Sequence, residues 1–144
     1  MKIISVLGYP LTIISSFFLL IISGRAFGGP YIIYLVLGLP HGAAYSLFAV
    51  FGILSLCITM YITKPNKHYW LKSALMIAGI TLLGLSLFVF FQRDRMRYNY
   101  ETFEQTVPVL SFVVFGITVL CGIINSFLNA SKWKRQSLDS LEKY

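Results

Sequence analysis

Four long apolar runs, each free of Asp, Glu, Lys and Arg away from its ends, make up most of this chain. They lie at residues 3–23, 42–62, 71–91 and 107–129. About 20 apolar residues carry a helix across a hydrocarbon core about 30 Å thick. In lipid the backbone must bond to itself, which favours helices for such runs. The expected fold is therefore an all-α integral membrane protein with four transmembrane helices in an antiparallel bundle.

Composition narrows the choice further. Charged residues form 12% of the chain and hydrophobic residues 57%. A soluble domain carries about 25% charged residues. These proportions exclude a soluble globule, a disordered chain and a nucleic-acid-binding domain. The formal charge of +7 comes from basic residues flanking the apolar runs, where topology and lipid headgroups account for it. With 144 residues, four spans leave no length for a soluble catalytic domain. The chain reads as one membrane domain, 1–144.

The first run is longer than the roughly 7–15 residues of a signal-peptide core, and no small-x-small cleavage site follows it. It is read as a retained span, kinked at Pro10. Gly28-Gly29-Pro30 then marks a turn. The apolar stretch 31–63 would make a helix of about 50 Å, too long for the membrane. Pro40, flanked by Gly38 and Gly42, is where it should break. Residues 31–39 are thus expected as a short interfacial or re-entrant segment before the second span. A single tilted, kinked helix is the alternative. Residues 130–144 form a polar tail.

Eight basic residues (Lys2, Lys64, Lys67, Lys72, Lys132, Lys134, Arg135, Lys143) fall on the side of the two termini. Four (Arg25, Arg93, Arg95, Arg97) fall on the other. The excess places both termini in the cytoplasm, with a bacterial inner membrane as the expected location. Tyr31 and Tyr34 are expected to mark the outer membrane boundary.

Ionisable residues inside a membrane are costly and usually functional, and the spans carry almost none. His41 stands near the outer boundary, on the expected side of Arg25, Arg93, Arg95 and Arg97. Together these make a candidate outer-face polar site for a headgroup, a quinone carbonyl or a partner. The competing reading of His41 is a side chain that bonds backbone freed beside Pro40. His68 falls at the opposite face, so the two histidines cannot share a haem or a metal. Cys57 and Cys121 lie singly within apolar runs and read as small buried residues. No catalytic residues, cofactor or metal are expected.

Gly38, Gly42 and Ser46 recur at intervals of four, as do Gly122 and Ser126, a spacing that lets helices approach closely in lipid. Asn125 reads as an interhelical hydrogen-bonding residue. Lys132-Trp133-Lys134-Arg135 is a candidate anchor for anionic lipid. The expected function is that of an accessory or stabilising subunit in a larger membrane complex. Its partners would be membrane lipids and a different membrane protein rather than further copies of itself, and not nucleic acid. A small oligomeric channel or transporter, and a lipid- or quinone-contacting subunit of an enzyme, are the alternatives.

Overall fold

The computed structural model describes the backbone at residues 2–23, 28–62, 69–94 and 98–141, and the side chains of those residues except 69, 98 and 129–141. Helices dominate. They are α1 (Lys2–Leu7), α2 (Pro10–Phe18), α3 (Tyr31–Gly38), α4 (Ala44–Tyr61), α5 (Tyr69–Arg93) and α6 (Thr106–Leu141), with a 3-10 helix at Tyr98–Glu104. Among the described residues three helical stretches are long and apolar enough to cross a membrane: α4, Trp70–Arg93 and Thr106–Leu128.

The expected first span is not one helix. α1 stops at Leu7 and α2 starts at Pro10. Proline lacks the N–H that would bond to the carbonyl four residues earlier, and it forces the preceding residue out of the helical region. Tyr9 is accordingly extended, with φ −74° and ψ 140°. The carbonyl left without its helical donor belongs to Val6. It accepts instead from the Thr12 hydroxyl at 2.9 Å and from the Tyr9 amide at 3.2 Å.

The same run also ends early, which corrects the all-α expectation. Ile21–Ser23 is a strand, β1, pairing antiparallel with β2, Gly28–Pro30, in the register Ile21–Pro30, Ile22–Gly29, Ser23–Gly28. An isolated strand edge would leave backbone groups open. Here side chains cover it. The Ile21 amide donates to Ser111 Oγ at 3.0 Å, and the Ser23 amide donates to Thr102 Oγ1 at 3.0 Å. The Thr102 hydroxyl donates in turn to the Ser23 carbonyl at 3.0 Å.

The break expected near Pro40 is present. α3 ends at Gly38 and α4 begins at Ala44, with Gly42 at φ +61° in the turn between them. That dihedral favours glycine because a Cβ is strained there. The chain folds back at this turn, and the Tyr45 hydroxyl donates to the Tyr34 carbonyl at 3.3 Å.

α4 and α5 form the most extensive helix pairing. The buried stripe Ser46, Ala49, Gly52, Ser55 and Thr59 on α4 is made of small residues, spaced mostly by three. A methyl built on Gly52 would meet the Gly79 carbonyl oxygen at 3.0 Å and Leu83 Cδ2 at 2.9 Å. The two backbones thus cross where each helix has a glycine. α1 and α2 pack along α6. Gly8 meets the backbone of Cys121 and Gly122, and Ile13 meets Gly122. Ser16 pairs with Thr118 and Ile21 with Ser111. The N-terminal segment therefore runs antiparallel to α6.

Candidate functional site

Two ends of the molecule gather polar groups. At one end lie the α3–α4 turn, the β-hairpin, the end of α5 and the 3-10 helix. His41 is exposed there, and its Nδ1 lies 2.9 Å from the Leu37 carbonyl. A carbonyl only accepts, so Nδ1 carries the proton and donates. Leu37 is in the last turn of α3, where carbonyls lack helical partners. This bond matches the backbone-bonding reading of His41. Arg93 is exposed in the last turn of α5. Among the described residues no hydrogen bond or ion pair joins it to His41. Arg25, Arg95 and Arg97 lie outside the described residues, so no convergent outer-face site is assembled from the residues in view.

Aromatic packing dominates this end. Phe90 contacts Tyr31, Tyr34 and Tyr45 edge-on, with centroids 5.1, 5.2 and 5.3 Å away. Phe17 stands edge-on to Tyr31 at 5.4 Å. The 3-10 helix is held by Phe103 against Phe91 at 5.1 Å and Phe112 at 5.5 Å. Its first turn is tied by the Asn99 amide, which donates to Asp94 Oδ2 at 2.6 Å. Tyr31, expected at the membrane boundary, is instead 0% exposed. The β-hairpin places it under α2, where its ring fills the core.

A hydroxyl relay anchors that ring. Ser86 Oγ donates to the Tyr45 carbonyl at 2.7 Å. A serine hydroxyl has one proton, so Tyr31 must be the donor across the 2.9 Å separation from Ser86 Oγ. The relay links α3, α5 and α4. A second buried pair, Ser16 and Thr118, lies 2.8 Å apart between α2 and α6.

The helix-packing candidates divide. Gly38 is buried against Ser46 and the Tyr45 ring. Gly42 is corrected: it is exposed in the turn with nothing within 4 Å of its Cβ position, so it shares no helix face with the other two. Gly122 is buried beneath Ile13 and Met76, and Ser126 borders a cavity one turn further on. Lys132, Trp133, Lys134 and Arg135 lie on helix α6, which continues into the polar tail as far as Leu141; their side chains are outside the described residues.

At the opposite end, the α1–α2 break opens a cavity of about 250 Å³. Gly8, Tyr9 and Pro10 form one wall. Ser5, Thr59, Lys72, Ser73, Asn125 and Ser126 bring polar groups from α1, α4, α5 and α6. Lys72 is half-buried, and its ammonium donates to the Ile62 carbonyl at 3.4 Å. Sequence reading missed this cavity. Its signal was a lysine just inside an apolar run, together with Pro10 and Asn125 in two other runs. Nothing in the sequence spacing brings those three together.

Among the described residues no three of His, Cys, Asp and Glu come together. Comparison with known protein families, with curated proteins and with solved structures finds no match for this chain.

Proposed function

We propose that this protein is an accessory, stabilising subunit of a larger membrane complex and has no catalytic chemistry of its own. It crosses the membrane four times, with the broken segment α1–α2–β1 as the first crossing and α4, α5 and α6 as the others. α3 is a partial-depth segment folded back against α4. The antiparallel run of residues 8–21 along α6 supports counting the N-terminal segment as a crossing. Between Gly122 and Ser111 it covers about 16 Å at 1.5 Å per residue, and α1 adds about 9 Å.

The observation that carries the reading is where the polar groups go. The buried hydroxyls of Ser16, Ser55, Ser86, Thr59, Thr102 and Thr118 all bond to backbone or to one another within the chain. Ser16, Ser55, Ser86, Thr102 and Thr118 thereby join different elements, and Thr59 bonds within its own helix. Ser46 Oγ is the one buried side-chain polar atom among the described residues without a partner, and a single hydroxyl makes no polar track. Ile13, Phe17, Leu56 and Leu83, each 0% exposed, occupy the space that a path through one copy would need. This disfavours the channel reading.

α6 favours a protein partner. A smaller share of the apolar stretch within Thr106–Leu128 is buried (22%) than within Ala44–Tyr61 (33%) or Trp70–Arg93 (39%). Leu110, Val113, Ile117, Leu120, Ile124 and Phe127 are exposed along it. The helix then continues to Leu141, about 20 Å past Leu128. In this reading the partner is a different membrane protein, the membrane is a bacterial inner membrane, and both termini face the cytoplasm.

The test is mild-detergent isolation of the tagged protein from its native membrane, followed by native mass spectrometry. Stoichiometric recovery within a larger hetero-complex is the expected result. Recovery of a homo-oligomer alone, or solute flux through liposomes containing only this chain, would overturn the proposal.

A further inference from the structure

We infer that the cavity at the α1–α2 break binds the phosphate headgroup of an anionic membrane lipid, with Lys72 as its charged contact. Lys72 is three residues into α5, just past Trp70, which is 73% exposed. A lysine within an apolar run is costly unless it snorkels to the interface or finds an anion. Here it is half-buried and borders the cavity. Its bond to Ile62 is long at 3.4 Å, and an ammonium has three donors, so capacity for an anion remains.

Lys72 is the one charged side chain among the described residues that line the cavity. Among the described residues no lining carboxylate competes with an anion there. Ser5, Ser73 and Asn125 add hydroxyl and amide groups from three elements. At about 250 Å³ the space falls near the lower end of ligand pockets, which run from roughly 300 Å³ upward. It suits a phosphate ester and excludes acyl chains, which would remain in the bilayer. The position at a helix end, beside an exposed tryptophan, is headgroup depth.

The experiment uses the full-length protein in detergent, titrated with phosphatidylglycerol or with phosphatidylcholine of the same chains and read by native mass spectrometry. Wild type should retain phosphatidylglycerol in preference. Lys72→Gln should lower that retention about tenfold, the scale of one lost charge-assisted hydrogen bond, and Lys72→Arg should keep most of it. Ser73→Leu, which fills the cavity without changing charge, should lower it as well. Melting temperatures of each variant, with the Arg variant as rescue, separate lost binding from lost folding. Equal retention of both lipids, or unchanged retention in Lys72→Gln, would overturn the assignment. Loss confined to a Lys132→Gln/Lys134→Gln variant would move the site to the tail and overturn it too. Free glycerol phosphate competing at the same concentration as the lipid would make the ligand a soluble phosphate ester and overturn the lipid source.

Discussion

At Gly8 the first helix lies so close to α6 that a methyl group would come 2.5 Å from the Cys121 carbonyl oxygen and 2.7 Å from the Gly122 amide nitrogen. Those atoms are backbone and cannot rotate away. At Gly122 the nearest obstacles to a methyl are Ile13 Cδ1 at 2.7 Å and Met76 Cε at 3.0 Å, both ends of flexible side chains. Gly8→Ala should therefore separate α1 from α6 and cost about 2 kcal/mol or more, while Gly122→Ala should cost under about 1 kcal/mol. Thermal melting in detergent would rank them, and an equal or reversed ranking would contradict the described contact. The relay from Tyr31 through Ser86 to the Tyr45 carbonyl makes a second residue-scale prediction. Tyr31→Phe and Ser86→Ala should each cost about 1 kcal/mol. The double variant should cost clearly less than the two together, because both single changes remove the same bond. Additive losses in the same melting assay would show that the two hydroxyls act separately.

At the scale of elements, glycine has opposite meanings in turn and helix. Gly42 turns the chain between α3 and α4 at φ +61°. Gly84, inside α5, has nothing within 4 Å of its Cβ position. Gly42→Ala should cost about 1 kcal/mol through backbone strain, and Gly84→Ala should stabilise by up to about 1 kcal/mol through helix propensity. Opposite shifts in melting temperature are expected; shifts of the same sign would refute this assignment of turn and helix. The sequence showed these elements unequally. α4, α5 and the apolar part of α6 were legible within a few residues because uninterrupted apolar length is a strong signal, and the Gly38–Gly42 break was legible from Pro40 between glycines. The break at Gly8–Pro10 was read only as a kink, because the compensating Thr12 hydroxyl is visible only in three dimensions. Strand β1 was illegible: Ile21–Ser23 is as apolar as the helix before it, and what stops the helix is pairing with Gly28–Pro30 and the hydroxyls of Ser111 and Thr102. The search for small residues looked for intervals of four. It passed over the stripe on α4, which recurs mostly every three residues and lies in the most extensive helix pairing.

For the whole molecule, long helices and short connections align the ends. The α1–α2 break, the end of α4, the start of α5 and the Asn125 region of α6 share one end. The β-hairpin, the 3-10 helix and the Ser111 region of α6 share another. Apart from Ser46 Oγ, the buried hydroxyls between those ends are spent on internal bonds; in the function proposed above, recognition then falls to the surface, with the open face of α6 for a protein and the cavity beside Lys72 for a lipid. The candidate site was less legible than the fold. His41 stood out as a histidine beside the Pro40 break, yet its ring bonds to the backbone of α3. Lys72 was read for topology alone, because the α1–α2 break and the Asn125 region that complete its cavity lie more than fifty positions away in sequence. The central claim is that the broken N-terminal segment is a complete crossing. Single-cysteine variants on a background lacking Cys57 and Cys121 test it most directly, with a membrane-impermeant thiol reagent applied to intact cells and to inverted vesicles. Four crossings predict that Lys2→Cys and Ser140→Cys label from the same side and Gly29→Cys from the other. Labelling of Lys2→Cys together with Gly29→Cys, opposite to Ser140→Cys, would leave three crossings and contradict the account.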